Sequence, residues 1–506
     1  MSTTSRRAFL RLLAASATAA AAAPAIVACS GGPDDAGSGS GGGGDRDVLR
    51  IAAIGSPGER FTPEKATSVA TWAGIYAIYE SLVVNGPDGP VMMLAQSAEP
   101  NDDATEWTVR LRDGAKFSDG SPVTGDDVLK SLAATKALPM KGMELADIDV
   151  DGSTADERGV VLRLTRPRAD FVESVLGMSS LVFKGGEIDG GLGSGPYVAA
   201  DGDSSQGWTL PANEHFPGDR RVSRTLEIQS VADADARIRA VESGAVDLAL
   251  DLPSTAVRTL EGTDAEAWAP GEWDSKGLAF ILNTRVAPFD DPEVRRAAKI
   301  ALDRRAMVDQ ALDGQGTPGT DVLGHGFPGF PSDITPPERD VEEARRIFAD
   351  KGVKELTLVT AEFSPGMNDG ADLAARQLEE AGVTVTVDKR DPSTYFADMA
   401  ALQKLPFFAM FMLNRPLVSG LPFTTGTGGM MNNSGFGADP KWDAKLAAAA
   451  AETDDAKRDE MLADLARTVH EDGGDLIWAF ANEIHGRAQG VPDILVSQQV
   501  PVPYTA

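Results

Sequence analysis

Apolar residues recur along this chain in short runs that predict strands, and stretches with helical spacing lie between them. VLRIAAI at 48–54 and ELTLVT at 355–360 have the pattern of buried strands. After the second run, an amphipathic segment near 371–381 is closed by Gly382, and VTVTV follows at 383–387. Strand, helix and strand in this order call for a right-handed crossover between neighbouring parallel strands. The pattern therefore predicts an α/β fold.

Capping residues mark the starts of two further helices. Thr124 and Asp127 have the spacing of a capping box. Asp291 stands before Pro292 and a helical stripe of apolar residues, and Gly314 is placed for a left-handed C-terminal cap. We expect the basic side chains of this second helix to face solvent: Arg295, Arg296 and Lys299.

Length and charge narrow the class of protein. A chain of 506 residues exceeds the size of a single hydrophobic core and predicts at least two domains. The formal net charge is −29, and so acidic a surface repels nucleic-acid phosphates and anionic lipid headgroups. Cys29 is the only cysteine, which leaves no disulfide framework and no cysteine-based metal site. We therefore expect no nucleic-acid partner.

The N-terminus has the features of an export signal. SRRAFLR at 5–11 resembles a twin-arginine motif, and IVAC at 26–29 resembles a lipobox in which Cys29 takes a lipid and becomes the mature N-terminus. A membrane-spanning helix is the alternative, but it needs about 20 strongly apolar residues. Residues 12–28 are fewer, rich in alanine and interrupted by a proline. We predict a lipoprotein signal at 1–29.

A flexible tether is predicted directly after the signal. Residues 30–46 read SGGPDDAGSGSGGGGDR and contain nothing that could build a core. Such a Gly/Ser-rich coil reaches roughly 20–25 Å. The mature protein would then be held by lipid at the outer face of the bacterial cytoplasmic membrane, in the periplasmic space or cell envelope.

Several longer segments resemble one known family, in that family's order. YESL at 79–82 and the segment at 94–132, with its core DGAKFSDGSPVTGDDV, resemble the extended motif of the family 5 extracellular solute-binding proteins. These are the binding components of peptide- and nickel-type ABC importers. The resemblance continues at 193–198, 233–250, 278–314, 340–352 and 373–396. It implies an α/β, two-lobe periplasmic-binding-protein-like fold of type II, with an ABC permease and ATPase as partners.

The resemblance also implies how the chain divides. The first lobe would hold residues 47–277 plus 479–506, with a possible subdomain at 90–190, and the second lobe would hold 278–478. Two spans that bend together would form the hinge between the lobes. The chain would pass between them at two apolar runs: GLAFILNT at 277–284 and DLIWAFAN at 475–482.

The sequence offers little catalytic chemistry. It has no Gly-x-Ser-x-Gly elbow and no Gly-Lys dipeptide, which excludes a Walker A loop and assigns ATP hydrolysis to another polypeptide. The histidines lie far apart, with no pair at metal-ligand spacing. We expect no catalytic residue, no metal site and no cofactor. The four histidines are His215, His325, His470 and His485.

Ligand-binding residues are expected beyond the ends of strands, where open α/β sheets place their sites. Gly55 and Ser56 follow the first predicted strand, and Asn283 follows the first crossing between lobes. Trp273 lies just before that crossing and is either a cleft residue or part of the core.

The segment PFFAMFMLNRPLVSGLPF at 406–423 is where we expect specificity to be decided. In peptide-binding relatives this segment usually carries a tryptophan and an aspartate that pairs with the ligand's amino group, and neither is present here. Asn414 and Arg415 stand there instead, and an arginine favours a carboxylate or phosphate unless it points to solvent. Phe411 would line the cleft if strand alternation turned it that way.

The sequence thus predicts a monomeric, lipid-anchored binding component of an ABC importer. It would close on a small solute, by family analogy a peptide or peptide-like compound, with an opine-like acid or another amphiphile left open. Two other classes of function remain. A secreted hydrolase would need two carboxylates at glycosidase distance in an open groove, and a ligand-sensing lipoprotein would bind without transport.

Overall fold

A computed structural model describes residues 46–502, except residues 57, 139–140, 201, 204, 206, 218–219, 393, 493 and 499. The predicted signal, Cys29 and the tether up to residue 45 lie outside the described residues. Among the helices described, none combines the length and the hydrophobicity that a bilayer crossing needs.

The strands fall into two large mixed sheets, one four-stranded sheet and two hairpins. In chain order they are β1 Arg46–Ala53, β2 Val83–Gly86, β3 Gly89–Met92, β4 Ala95–Pro100, β5 Glu106–Leu111, β6 Ile148–Asp156, β7 Gly159–Leu164, β8 Gly202–Asp203, β9 Gly207–Pro211, β10 Ser223–Ser230, β11 Leu248–Leu252, β12 Ala265–Trp268, β13 Lys276–Leu282, β14 Gly316–Pro318, β15 Glu355–Thr360, β16 Thr384–Lys389, β17 Phe407–Leu413, β18 Asp475–Ala481, β19 Ile484–Ala488, β20 Leu495–Ser497 and β21 Val500–Val502.

The helices cover the faces of these sheets. In chain order they are α1 Val69–Ile78, α2 Gly125–Lys136, α3 Lys141–Glu144, α4 Ala234–Glu242, α5 Thr255–Leu260, α6 Pro292–Ala301, α7 Arg304–Ala311, α8 Val341–Lys351, α9 Met367–Glu380, α10 Met399–Leu402, α11 Leu417–Thr425, α12 Pro440–Ala451 and α13 Asp455–Asp472. Single turns of π- or 3₁₀-helix occur at Val172–Leu176, Lys184–Gly186 and Glu272–Asp274.

The first large sheet forms lobe I and has the strand order β12-β19-β11-β1-β10-β9-β8. β1 is its centre and pairs in parallel with both β10 and β11. Its fully buried Leu49 and Ile51 pack in one core with α1. β19 returns from near the C-terminus and pairs antiparallel with β11 and β12, so both ends of the described chain build lobe I.

The second large sheet forms lobe II and has the order β14-β18-β13-β17-β15-β16. β15 and β16 pair in parallel and α9 connects them, which confirms the predicted strand, helix and strand. Phe280, Phe407 and Trp478 are fully buried in the core of this lobe. The predicted α/β architecture is therefore confirmed, with one mixed sheet in each lobe.

A four-stranded antiparallel sheet, β4-β5-β7-β6, forms a subdomain with its own core. α2 packs on this sheet and begins with the predicted capping box. Asp127 N–H donates to Thr124 Oγ1 at 3.4 Å, and Thr124 N–H donates to Asp127 Oδ2 at 3.0 Å. Because two otherwise unsatisfied backbone donors are bonded, the start of the helix is fixed.

The two connections between the large sheets lie beside the apolar runs 277–284 and 475–482, and not within them. The runs at 277–284 and 475–482 largely coincide with β13 and β18, which are inner strands of the lobe II sheet over their whole lengths. The chain leaves lobe I after Trp268 and reaches β13 at Lys276, and it leaves β18 after Ala481 and reaches β19 at Ile484. The two connections are therefore residues 269–275 and 482–483.

The expectation that Arg295 and Lys299 face solvent is wrong, whereas Arg296 is exposed as expected. Arg295 donates from Nε and Nη2 to the carbonyl oxygen of Asp472, at 3.0 and 2.7 Å. Lys299 Nζ donates to the carbonyl oxygen of His470 at 2.8 Å. These carbonyls end α13, and their partial negative charge attracts the two buried cations.

Candidate functional site

A cavity of about 670 Å³, here the main cavity, is lined by residues of both lobes and by Glu483 of the second connection. Its volume is within the range of sites that enclose a small molecule. α1 contributes an apolar wall of Trp72 and Tyr76, whose ring centroids are 5.7 Å apart. Polar and charged side chains line the rest of the cavity together with smaller apolar ones: Glu64, Thr67, Lys141, Asp251, Lys276, Glu483 and Gln498.

The wall formed by α1 is held at its N-terminal end by Glu59. This carboxylate accepts hydrogen bonds from Thr71 Oγ1 at 2.6 Å, from Thr67 Oγ1 at 2.5 Å and from the hydroxyl of Ser68, the N-cap residue. Burial alone would raise the pKa of Glu59, but these hydrogen bonds lower it below its usual value. The first turn of α1 is therefore fixed beside the cavity.

An ion pair at the main cavity joins the first residue of β13 to the second connection. Lys276 Nζ lies 2.7 Å from Glu483 Oε2 and 3.7 Å from Asp251 Oδ1. Burial disfavours the charge on Lys276, but the two carboxylates raise its pKa above the usual value. Lys276 opens β13 and Glu483 lies between β18 and β19, so the pair belongs to the hinge.

A narrow space of about 30 Å³ adjoins the main cavity and is also lined by both lobes. Gln498 borders both spaces: its Nε2 donates to the carbonyl oxygen of Met178 at 2.9 Å, and Lys141 Nζ donates to its Oε1 at 3.4 Å. Trp273 and Arg415 also line the narrow space. A space of this size holds only one or two groups as large as water.

Arg415 is buried, with 7% of its surface exposed, so the alternative in which it points to solvent is wrong. Its guanidinium carbon lies 3.6 Å from the ring centroid of Phe423, which covers one face of the guanidinium group. Burial lowers the pKa of Arg415 to about 10, while Glu144 acts in the opposite direction. The Nε of Arg415 has no hydrogen-bond partner within the described part of the chain.

Asn414 holds the segment before β13 in place. Its Nδ2 donates to the carbonyl oxygens of Trp273 at 3.3 Å and His325 at 2.6 Å, and its Oδ1 accepts from the N–H of Gly324 at 2.8 Å. The amide is therefore fully engaged with backbone groups. Asn414 borders the narrow space but acts chiefly by positioning Trp273.

The lobes also touch at a rim away from the hinge. The N–H of Ala169, in the subdomain, donates to the carbonyl oxygen of Ala450 in α12 at 2.7 Å. A further cavity of about 370 Å³ lies between these parts and reaches Arg415 from the other side. The main cavity and the narrow space thus lie between the hinge on one side and this rim on the other.

Comparison with known proteins identifies the family. The model for bacterial extracellular solute-binding proteins, family 5 (middle region), matches residues 89–413. This chain belongs to that family. It is an extracytoplasmic solute-binding component of a peptide- or nickel-type ABC importer, and members of the family bind solutes without catalysing a reaction. The predicted family is confirmed, and the hydrolase alternative is excluded.

Individual relatives are distant in sequence but similar in fold. The probable D,D-dipeptide-binding periplasmic protein DdpA of Escherichia coli is 24% identical over 68% of this chain and 70% of its own length. Alignments with several other curated relatives span 53% to 63% of those proteins.

Two solved structures illustrate the shared fold. The oligopeptide-binding protein AppA of Bacillus subtilis, solved with a nonapeptide, has a TM-score of 0.73 and 18% identity, covering 92% of this chain and 99% of that one. AgaA of Agrobacterium tumefaciens R10, solved with agropinic acid, has a TM-score of 0.71 and 22% identity, covering 88% and 94%.

Three residues predicted for the site of this solute-binding protein lie elsewhere. Asn283 is fully buried, and its Nδ2 donates to the carbonyl oxygens of Gln403 at 2.8 Å and Leu405 at 2.9 Å. It stands beyond the far end of β13, roughly 23 Å along the strand from Lys276. The other two, Gly55 and Ser56, form a half-buried loop after β1 and line neither the main cavity nor the narrow space.

Phe411 packs among aromatic side chains of lobe II. Its ring centroid lies 5.7 Å from that of Phe363 and 6.4 Å from that of Phe396. Leu413, two residues further along the same strand face, lines both interlobe spaces instead. Strand alternation alone could not decide how far along β17 the cleft begins.

The histidines of this protein are dispersed, as their spacing in sequence suggests. His485 is fully buried, and burial lowers its pKa to about 4, so it is neutral at physiological pH. His470 Nδ1 lies 2.9 Å from the carbonyl oxygen of Thr320. Within the described residues, no three His, Cys, Asp or Glu side chains are grouped so that they could hold a metal ion.

Of the residues that line the two spaces, sequence reasoning identified only Trp273, Asn414 and Arg415, and five of the others show why. Trp72 and Tyr76 have helical spacing, which predicts a stripe of residues that face the core and gives no sign of a cavity wall. Lys141 and Gln498 meet although they are 357 positions apart, and no local pattern connects them. Lys276 directly precedes the apolar run of β13, so its position at the start of a strand was the one available signal.

Proposed function

We propose that this protein binds a peptide or peptide-like compound in the main cavity and delivers it to the permease of an ABC importer. The observation that carries the proposal is the cavity of about 670 Å³, which is lined by both lobes and by Glu483 of the second connection between them. A ligand that contacts both lobes stabilises the closed arrangement, because it binds that arrangement better than the open one. The names of DdpA and AppA support a peptide as the ligand class.

The lining of the main cavity suits an amphiphilic solute. Trp72, Tyr76, Leu413 and Val500 provide apolar and aromatic surface, and Lys276 is neutralised by its carboxylate partners. Aromatic walls with a few polar groups accept side chains of different shape, while the polar groups fix orientation. This combination fits short peptides better than a highly hydroxylated sugar.

The binding proposal can be tested by thermal shift followed by calorimetry with dipeptides to pentapeptides, opines, sugars and nickel–histidine. We expect peptides to raise the melting temperature, since a ligand that binds only the folded state stabilises it by mass action. Trp72→Ala should weaken the best hit about tenfold or more, because it removes a large aromatic contact. Leu192→Ala, at an exposed apolar position, is the matched control. Hits confined to sugars or nickel would contradict the proposal.

We also propose that Cys29 carries the lipid and that the signal at 1–29 uses twin-arginine export. The motif SRRAFLR and the IVAC sequence support this reading. In the producing bacterium, Cys29→Ser should move the protein from the membrane fraction to the soluble fraction. Replacing Arg6 and Arg7 by lysine should retain the precursor inside the cell. Unchanged membrane attachment of the Cys29→Ser variant would refute lipidation.

A further inference from the structure

We propose that the narrow space beside Arg415 is a subsite for a carboxylate of the ligand, bound by the guanidinium group of Arg415 and the indole N–H of Trp273. This inference rests on the proposed binding function and adds the charge of the ligand to it. The bulk of the ligand would occupy the main cavity, and its acidic group would enter the narrow space past Gln498.

The first argument is that a buried cation without a partner is costly. Two other buried arginines have carboxylate partners: Arg168 donates to both oxygens of Asp170 at 2.7 Å, and Arg304 donates from its two Nη atoms to both oxygens of Asp321 at 2.8 and 3.0 Å. Arg415 is buried to a similar degree, and its Nε has no acceptor among the described residues. The Nε of Arg304 lacks an acceptor as well, but Asp321 already pairs with that guanidinium group. The missing partner is an acceptor that the protein itself does not supply.

The second argument is that the narrow space is lined by another residue with an unsatisfied donor, Trp273. Trp273 is 8% exposed, lines the narrow space, and its Nε1–H also lacks an acceptor within the described chain. Phe423 covers one face of the Arg415 guanidinium, which leaves the in-plane donors for an incoming group. A guanidinium fork and an indole N–H match the two oxygens of a carboxylate.

The volume sets the size of the group. About 30 Å³ is enough for a carboxylate and too small for a whole ligand. The amide oxygen of Asn85, on the lobe I wall of this space, has no donor among the described residues. It can accept an N–H next to the acid, which is the arrangement at the C-terminus of a peptide.

The charges around the subsite are mixed. Glu144 acts on both Arg415 and Lys141, and these two cations oppose each other. Asp274 borders the narrow space and adds a second negative charge, which also acts on Lys276. An anion is therefore favoured by direct contact with the donors of Arg415 and Trp273, and not by a net positive field. Since Arg415 belongs to lobe II and Lys141 to the subdomain, an anion near both would favour closure.

The test uses tripeptides in matched pairs, each with a free C-terminal carboxylate or a C-terminal amide. For the wild-type protein we expect the acid to bind about 10-fold to 100-fold more tightly than its amide, as hydrogen bonds to charged groups imply. Arg415→Met should abolish this preference, and Trp273→Phe should reduce it several-fold while keeping the ring. Arg376→Met, at an exposed position in α9, should leave the preference for the acid unchanged.

Equal binding of acid and amide by the wild-type protein would overturn the subsite and leave the peptide proposal intact.

If neither form of any tripeptide binds, the peptide proposal fails, and succinate and inorganic phosphate then test the subsite separately. Each should stabilise the wild-type protein more than the Arg415→Met variant, and equal effects would overturn the assignment. The ligand-free variant gives an independent check. Because Arg415→Met removes an unpaired buried charge, it should melt at the same temperature as the wild type or higher. A large loss of stability would identify Arg415 as a structural residue and overturn the proposal.

Discussion

Asp475 makes the stability of lobe II depend on pH. It opens β18 and is 3% exposed, and burial raises the pKa of its carboxyl group from 3.8 to about 7, although Lys299 acts in the opposite direction. The folded protein therefore holds this proton more tightly than the unfolded chain does. Stability contributed by Asp475 is complete below about pH 4 and is lost as the pH rises to about 7.

The size of the expected change in stability follows from the pKa shift of Asp475. A pKa raised by about 3 units corresponds to about 4 kcal/mol of unfolding free energy, lost between about pH 4 and pH 7. Asp475→Asn removes the titrating group with little change of shape. We expect the variant to match the wild type near pH 4 and to be more stable by about 2–4 kcal/mol at pH 8, the lower figure allowing for relaxation around the charge.

The assay is urea unfolding at pH 4, 6 and 8, followed by tryptophan fluorescence, to which Trp478 on the same strand contributes. Glu173 is another carboxyl group whose pKa burial raises to about 7, so the difference between variant and wild type isolates Asp475. Asp102→Asn, at an exposed position, is the control and should give no such difference. The reasoning would be refuted if the difference in unfolding free energy between Asp475→Asn and the wild type did not change with pH. It would also be refuted if the variant were less stable than the wild type at pH 8.

Two further predictions concern packing and buried charge. Arg304→Met leaves Asp321 without its bidentate partner and should lower the free energy of unfolding by about 3–5 kcal/mol, measured by urea unfolding at pH 7. Gly125→Ala should destabilise the subdomain by about 1–3 kcal/mol or more, because the new Cβ would lie 1.7 Å from the carbonyl oxygen of Gly159. Gly428→Ala, where a Cβ meets nothing within 4 Å, should leave the melting temperature unchanged.

The parts of the fold that sequence could predict are those in which neighbouring residues carry the signal. Thr124 and Asp127 form the capping box that their spacing indicated. The strand, helix and strand from Glu355 to Lys389 follow from hydrophobic periodicity and from a glycine at the helix end. The family, and with it the two-lobe fold, followed from several motifs in order. Each signal is local or is a series of local signals.

The burial of Arg295 and Lys299 could not be predicted, because their partners are the terminal carbonyls of a helix about 170 residues further along the chain. The prediction of the binding site failed for the same reason, because its residues come from distant parts of the chain. Asn283 and Lys276 flank one apolar run, and only the direction in which β13 enters lobe II decides which of them reaches the cavity. Arg415 was identified from its residue type, but its burial and its missing acceptor are tertiary facts.

The contacts on the two sides of the cavity differ in how easily they break, which indicates how a ligand enters. At the hinge, separating Lys276 from Glu483 would leave buried charges unpaired and cost about 3–5 kcal/mol. At the rim, the hydrogen bond from Ala169 to Ala450 is a backbone contact whose loss, with water as the replacement, costs about 0.5–1.5 kcal/mol. The rim therefore opens before the hinge ion pair separates. Lobe motion would pivot about that pair and expose Arg415 and the main cavity from the rim side.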